Sequence, residues 1–292
     1  STLVEAKVNK ESPKAILGEL LSAFMEKLGE HSAKPSLQAK LALTALSEGH
    51  KKQILLFHKD PSVEALIDSI GMSGELPALS ELENDFFLPV FSNLGANKTD
   101  RYMETDLRHD TQIFEDGSMV SSVTVTRTHT FTDSTLAWLK STLASYGFTA
   151  WNPGLEQVLG KDTNHTGIRL YVPEDATILE TEGILRDEIQ FYYDPLEDLS
   201  YYYIDQILAP GQSESFTLHF ALPWNFHGDF EEYEFDLFKQ PGLKAVTFEK
   251  TVTALGDMLL SGYPLATDAV EGMDYILPGS FQGALHFNLL YR

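Results

Sequence analysis

Two long segments of alternating polar and apolar residues, Tyr102–Phe114 and Met119–Phe131, meet at Asp116-Gly117. Side chains with a period of two on either side of Asp-Gly specify an antiparallel hairpin by local chemistry alone. A two-residue turn at Asp116-Gly117 sets Glu104 opposite His129 and Asp106 opposite Arg127, with Leu107 facing Thr126 and His109 facing Thr124. Opposed charges of this kind contribute about 0.2–1 kcal/mol each, so they tune register rather than drive folding. In that register His109 and His129 fall on opposite faces and read as surface residues. The threonines at 124, 126, 128 and 130 suit a pleated, half-wet face.

At 292 residues the chain is long enough for two domains or one large domain with an appendage. Apolar residues make up 43% and aromatics 11%, enough to build real cores. The formal charge of −22 is uneven: residues 85–292 carry 12 basic groups against 31 acids, and residues 1–84 carry 9 against 12. So acidic a surface repels phosphate backbones and anionic lipid, which argues against nucleic acid and against direct membrane contact by this stretch. The absence of cysteine removes disulfides, thiolate nucleophiles and zinc–sulfur sites.

The first eighty residues carry helical spacing. Ser12-Pro13 opens one helix running to Gly29, Pro35-Ser36 opens a second ending near Gly49, and Asp60-Pro61 a third closed by Gly71. The apolar run Gln53–His58 reads as a short buried strand and Phe86–Ser92 as another. Asp133 caps a helix ending at Gly147, and Trp151–His165 reads as loop. From Gly167 the pattern becomes short strands between Pro/Gly turns: 168–172, 177–182, 189–193, 201–208, 214–222, 233–238 and 246–253. The fold expected is α+β. An N-terminal helical and mixed domain, residues 1–165, contains the hairpin 102–131; an immunoglobulin- or fibronectin-like β-sandwich follows over 166–292. The last strand, Leu285–Tyr291, is a candidate to return to the first domain.

Several short motifs follow one another along the chain: Ser12-Pro13-Lys14, Lys52–Asp60 with Gly71-Met72-Ser73-Gly74, the run Asn93–Asp100, Asp116-Gly117, Arg169-Leu170-Tyr171-Val172-Pro173, and Lys239-Gln240-Pro241-Gly242. Together they resemble the bacterial family known as domain of unknown function four-thousand-and-twelve, over most of residues 12–245. The resemblance implies an extracytoplasmic, cell-surface protein, anchored by an N-terminal membrane segment that precedes the part matched here. It brings no established reaction. Asp133–His165 departs from the family pattern as an insertion.

Three groups of residues carry candidate chemistry. In the Asn93–Asp100 run, Asn93 and Asn97 offer amide donors and acceptors and Lys98 a cation; the alternative is a strand-ending loop in which Asx side chains cap turns. Residues 184–236 combine many aromatics with 12 carboxylates and one arginine. Aromatic faces beside carboxylates suit sugars, whose apolar faces stack while their hydroxyls donate to acids. Trp224, His227, Asp229 and Tyr233 are the first site on that reading, against the alternative that the aromatics fill a core. Asp194, Glu197 and Asp198, like Asp229, Glu231 and Glu232, offer hard oxygen donors for calcium, against the alternative of solvated acids. No other cofactor is expected. No Gly-x-Ser-x-Gly elbow, phosphate loop, dinucleotide fingerprint or His-Glu-x-x-His helix occurs, so no catalytic residue is assigned. The expectation is a non-enzymatic envelope protein that binds cell-surface glycan or protein partners. The competing reading is an envelope enzyme acting on glycan or a phosphate-linked polymer, its catalytic parts lying upstream.

Overall fold

The computed structural model describes residues 22–27, 29–30, 35–50, 53–74, 82, 84–195, 198–226, 230–238, 240–241, 247–256, 258–263, 272–277 and 283–291. The chain is α+β, its strands gathered in two mixed sheets. The expected first helix lies mostly outside the described residues, although 22–27 are helical. Helix α1 spans Pro35–His50 and α2 Pro61–Ser69. Proline opens α2 where its missing N–H is no loss, and Asp60 accepts from the Ser62 N–H at 2.9 Å, as an N-cap should. Gln53–His58 is not a strand. Ile54, Leu55, Leu56 and Phe57 are all exposed, and the backbone bonds of the run go to the end of α1, from the Gln53 and Ile54 N–H groups to Glu48 O, and to the turn after α2, from the Leu56 N–H to Met72 O. An apolar run without a neighbouring strand has no ladder to join.

Among the described residues thirteen strands follow, interrupted by helices α3 (Asp133–Ser145) and α4 (Pro153–Glu156). They are β1 (Asp85–Asn93), β2 (Met103–Ile113), β3 (Ser118–His129), β4 (Asn164–Tyr171), β5 (Thr177–Glu182), β6 (Gln190–Asp194) and β7 (Leu199–Leu208), then β8 (Ser213–Asn225), β9 (Phe230–Leu237), β10 (Thr247–Ala254), β11 (Met258–Tyr263), β12 (Gly272–Leu277) and β13 (Gly283–Tyr291). One sheet has the order β11-β13-β9-β1-β4-β7-β6 and the other β12-β10-β2-β3-β8-β5. Pairing is antiparallel throughout except β1 with β9 and β10 with β2. Both sheets therefore mix strands from either side of residue 165, and β13 joins the sheet containing β1. One core lies between them: Phe87, Ile168, Leu170, Ile204 and Phe235 come from the first sheet, and Ile113, Val123, Val125, Leu218 and Phe248 from the second. Alternation places Phe216, Leu218, Phe220 and Leu222 inside, as the sequence indicates.

The hairpin forms, but its register is one residue off the expectation. Three residues, Glu115 to Gly117, make the loop: the Phe114 N–H donates to Ser118 O at 2.9 Å and the Gly117 N–H to Phe114 O at 2.8 Å. Gly117 sits at φ +83°, the left-handed position of a three-residue loop with a bulge. Asp116 secures the loop by accepting from the Ser118 N–H and hydroxyl. A one-residue slip exchanges the two faces of a strand. Glu104 therefore pairs with Thr128 and Asp106 with Thr126, so the expected acid–base pairs do not form. His109 and His129 are both fully buried on the same face, not on the surface. The threonine face behaves as expected, with Thr124, Thr126 and Thr128 bonding Thr217, Ser215 and Ser213 at 2.8 Å each.

Candidate functional site

The slipped register turns an unusual set of polar side chains inward. Asp85 begins β1, His109 and Thr111 lie on β2, Ser121 on β3, Tyr233 on β9 and Lys250 on β10; all are buried. Lys250 occupies an inward position between Phe248 and Val252 in an alternating strand. Its Nζ reaches Thr111 Oγ1 at 2.7 Å, His109 Nδ1 at 2.8 Å and the Tyr233 hydroxyl at 3.0 Å, and lies 4.2 Å from the centre of the Phe235 ring. Tyr233 donates a hydrogen bond to Asp85 Oδ2, which Ser121 Oγ also approaches at 3.3 Å. Thr111 closes the ring by bonding Ser121 at 2.8 Å and Tyr233 at 3.0 Å.

Burial governs the titration of this group. It lowers Lys250 to about 7, against the attraction of Asp85 and Asp110, and it raises the Asp85 carboxyl, against Lys250 and the Tyr233 hydrogen bond. Desolvation, helped by the nearby lysine, keeps His109 neutral by pulling it well below its usual range. Burial and the Asp85 carboxylate push Tyr233 well above its usual range.

Asp85 and Tyr233 also form the floor of a pocket of about 300 Å³ whose walls include Asn84, Met119, Trp224, Phe226, Glu232 and Glu234. Asp85 Oδ1 has no hydrogen-bond partner among the described residues. The hairpin loop sets the pocket's edge: the Phe226 N–H donates to Gly117 O at 2.9 Å, and a Cβ on Gly117 would stand 1.9 Å from the Phe226 carbonyl oxygen.

Of the residues singled out in the sequence, Trp224 and Tyr233 meet at this pocket. Trp224 is half-buried in the wall, while the Tyr233 ring is inside the core. His227 and Asp229 lie outside the described residues. Asn93 and Asn97 serve their own loop: the Gly95 N–H and the Thr99 hydroxyl donate to them, and Asn97 Nδ2 donates to Thr163 O at 3.0 Å. Lys98 is exposed beside them. Behind the loop, Thr99 and Asp100 accept from Asn164, whose Oδ1 accepts from the buried Arg127 at 3.3 Å. Burial lowers Arg127 to about 10. Among the acids proposed for calcium, Asp194 accepts from Tyr171 and Asp198 from Tyr193, and Glu197 lies outside the described residues. The described residues contain no group of three or more metal-ligating side chains placed to share an ion.

A second surface emerges from the aromatic segment. On the outer face of the first sheet, Tyr192 of β6 pairs with Tyr201 of β7, which pairs in turn with Tyr171 of β4. Ring centres are 5.7 Å apart for Tyr192–Tyr201, 5.9 Å for Tyr192–Tyr203 and 5.1 Å for Tyr171–Tyr201. Arg169 lies 5.3 Å over the Tyr201 ring. Tyr203 lies against the backbone of Gly167, where an added Cβ would stand 2.8 Å from its hydroxyl. Tyr192 is 45% exposed, so the strip reaches solvent.

No family model matches the sequence, and no curated protein does. Similar solved structures include a candidate nutrient-binding protein of Legionella pneumophila, at TM-score 0.39 and 9% identity over 71% of this chain and 70% of that one. A substrate-bound M1 zinc metallopeptidase mutant of Deinococcus radiodurans overlaps at TM-score 0.32 and 11% identity, over 65% of this chain and 43% of the peptidase. Overlaps this loose carry no argument about function. No helix among the described residues is long and apolar enough to cross a membrane.

Proposed function

We propose that this chain is a non-enzymatic, extracytoplasmic cell-envelope protein that binds neutral surface glycan through its tyrosine strip. The observation that carries the reading is Tyr203 resting on Gly167 beside Tyr192 and Tyr201 on an open sheet face. Rings held by their neighbours offer apolar area with little entropy left to lose on binding. Asp194 and Asp205 share that face and can accept from hydroxyls, and acids around the strip repel a phosphate-linked polymer. The envelope address rests on the motifs that resemble domain of unknown function four-thousand-and-twelve. Two sheets around one core support the finer reading of a β-sandwich, although the two parallel pairings depart from the antiparallel immunoglobulin and fibronectin pattern.

A glycan array followed by calorimetric titration tests the proposal. The parent should bind neutral oligosaccharide, and Tyr203→Ala or Tyr192→Ala should weaken it about tenfold or more, in line with aromatic anchors at interfaces. Failure of the parent to bind any neutral envelope glycan overturns it.

A further inference from the structure

We infer that a cavity between the outermost strands β5 and β6 binds a small organic monocarboxylate with an aromatic body, its head group held by Arg186 and its body by Phe191. The inference is independent of the glycan reading and uses none of the strip residues. Strand β6 ends the seven-stranded sheet and β5 the six-stranded one. The Tyr202 hydroxyl, from β7, donates to Ala176 O at 2.8 Å and brings the start of β5 against the first sheet. Between the two lies a cavity of about 480 Å³, within the range of small-molecule sites, roughly 300–1,000 Å³. Val172, Ala176 and Tyr202 are its buried floor, Ile178 and Phe191 stand in its walls, and Arg186 completes the lining on one side.

Phe191 pairs with the inward-facing Tyr202 across β6 and β7, so it points to the inner side of the sandwich, away from Tyr192 and the strip. Its ring centre is 5.2 Å from that of Tyr202, yet the residue is 62% exposed, because the opposite sheet ends at β5 and leaves the ring open to the cavity. An aromatic face left wet on the core side gains from a ring stacked on it. Arg186 lies on the single helical turn Arg186–Glu188 between β5 and β6. It is the one arginine among 12 carboxylates in residues 184–236. Among the described residues no hydrogen bond or ion pair engages its guanidinium, while the neighbouring Glu188 is occupied in accepting from the Leu185 N–H at 2.9 Å. Burial raises the Tyr202 phenol, and the Ile178 N–H and then the Arg186 charge oppose that rise, which puts the guanidinium on the cavity side of its turn. A planar guanidinium offers paired donors that match a carboxylate. An ion pair open to water contributes little alone, so the apolar walls supply most of the affinity and Arg186 selects the head group. Glu174 and Asp175 border the same cavity and repel a doubly charged phosphate ester more than a singly charged carboxylate.

Calorimetric titration of the whole chain with hydrocinnamate, and in parallel with its neutral amide hydrocinnamide, tests the inference at neutral pH. Near-physiological salt screens diffuse repulsion of the acid by the net charge of −22. The expected result is saturable one-to-one binding of the acid, with the amide weaker by about tenfold or more for want of the charge-assisted pair. Arg186→Gln, on an exposed turn, should bring the acid down to the level of the amide and leave the amide where it was. Phe191→Ala should weaken both ligands, and Tyr203→Ala neither. Equal binding of acid and amide, acid binding that ignores Arg186→Gln, or no saturable binding of the acid overturns the inference.

Discussion

The Tyr233 hydroxyl lies 3.0 Å from Lys250 Nζ and donates to Asp85, so one phenol links a lysine of the six-stranded sheet to a carboxylate of the seven-stranded one. The charges are not in direct contact; the phenol and the Thr111–Ser121 pair lie between them. Breaking such a buried set by removing one member leaves the others unsatisfied. Tyr233→Phe keeps the ring and removes the bridge. It should lower unfolding free energy by about 1–3 kcal/mol in a denaturant titration, the penalty for orphaning a buried polar partner. A change within a few tenths would show that the network does not hold the sheets together.

Lysine at about 7 also gives the stability a pH signature. Between pH 7 and the ordinary lysine range near 10.4, the unfolded chain keeps the Lys250 proton and the folded chain has lost it. The unfolded state then binds more protons, so unfolding free energy rises with pH through that window, by up to about 1.4 kcal/mol per unit. His109, held neutral by burial, adds a rise only below its usual value near 6.5. The denaturation midpoint should climb from pH 7 to 9 in the parent and stay level in Lys250→Met. A parallel climb in the variant would assign the effect elsewhere.

Gly117 joins the hairpin loop to the pocket. At φ +83° any side chain is strained, by about 1–2 kcal/mol, and a Cβ would also run into the Phe226 carbonyl at 1.9 Å. Gly117→Ala should therefore destabilise by more than 2 kcal/mol and displace Phe226 from the pocket edge. Thermal denaturation reads the first effect, and a shift of the Trp224 indole N–H signal under folded conditions reads the second. Gly211 offers the control: its φ is +82° but nothing lies within 4 Å, so Gly211→Ala should show the backbone strain alone.

Much of this architecture is written in local patterns, and the site is not. Strand alternation at Phe216–Leu222 and the cap at Asp60 come from neighbours in sequence, so they are readable. The hairpin's existence is readable for the same reason, but its register is not. Asp-Gly serves two-residue and three-residue loops alike, and the choice turned on which face the core would take. That choice buried His109, Arg127 and His129. Lys250 left a usable trace, since Phe248, Val252 and Ala254 place it on the inward side of β10. Asp85, Thr111 and Ser121 left none: their meeting depends on parallel contacts between β1 and β9 and between β10 and β2, far apart in sequence. The same long-range pairing mixes both halves of the chain in each sheet, which no composition shift near residue 165 announces.

Gly167 separates a structural role of the tyrosine strip from a binding role. It is buried in β4 beneath Tyr203, and a Cβ there meets only the outer end of that ring, at 2.8–2.9 Å from the hydroxyl and Cε2. The ring has solvent to move into, so Gly167→Ala should lift it without opening the core. The backbone at 167 has no positive φ, and replacing glycine reduces the freedom of the unfolded chain by about 0.4–1 kcal/mol, offsetting the crowding. Stability should change by less than about 1 kcal/mol by denaturant titration. Glycan affinity should fall as far as in Tyr203→Ala, because the ring no longer lies in the strip. If the strip were only a packed surface, the two measurements would move together, and a stable Gly167→Ala protein that binds glycan as the parent does would refute the platform.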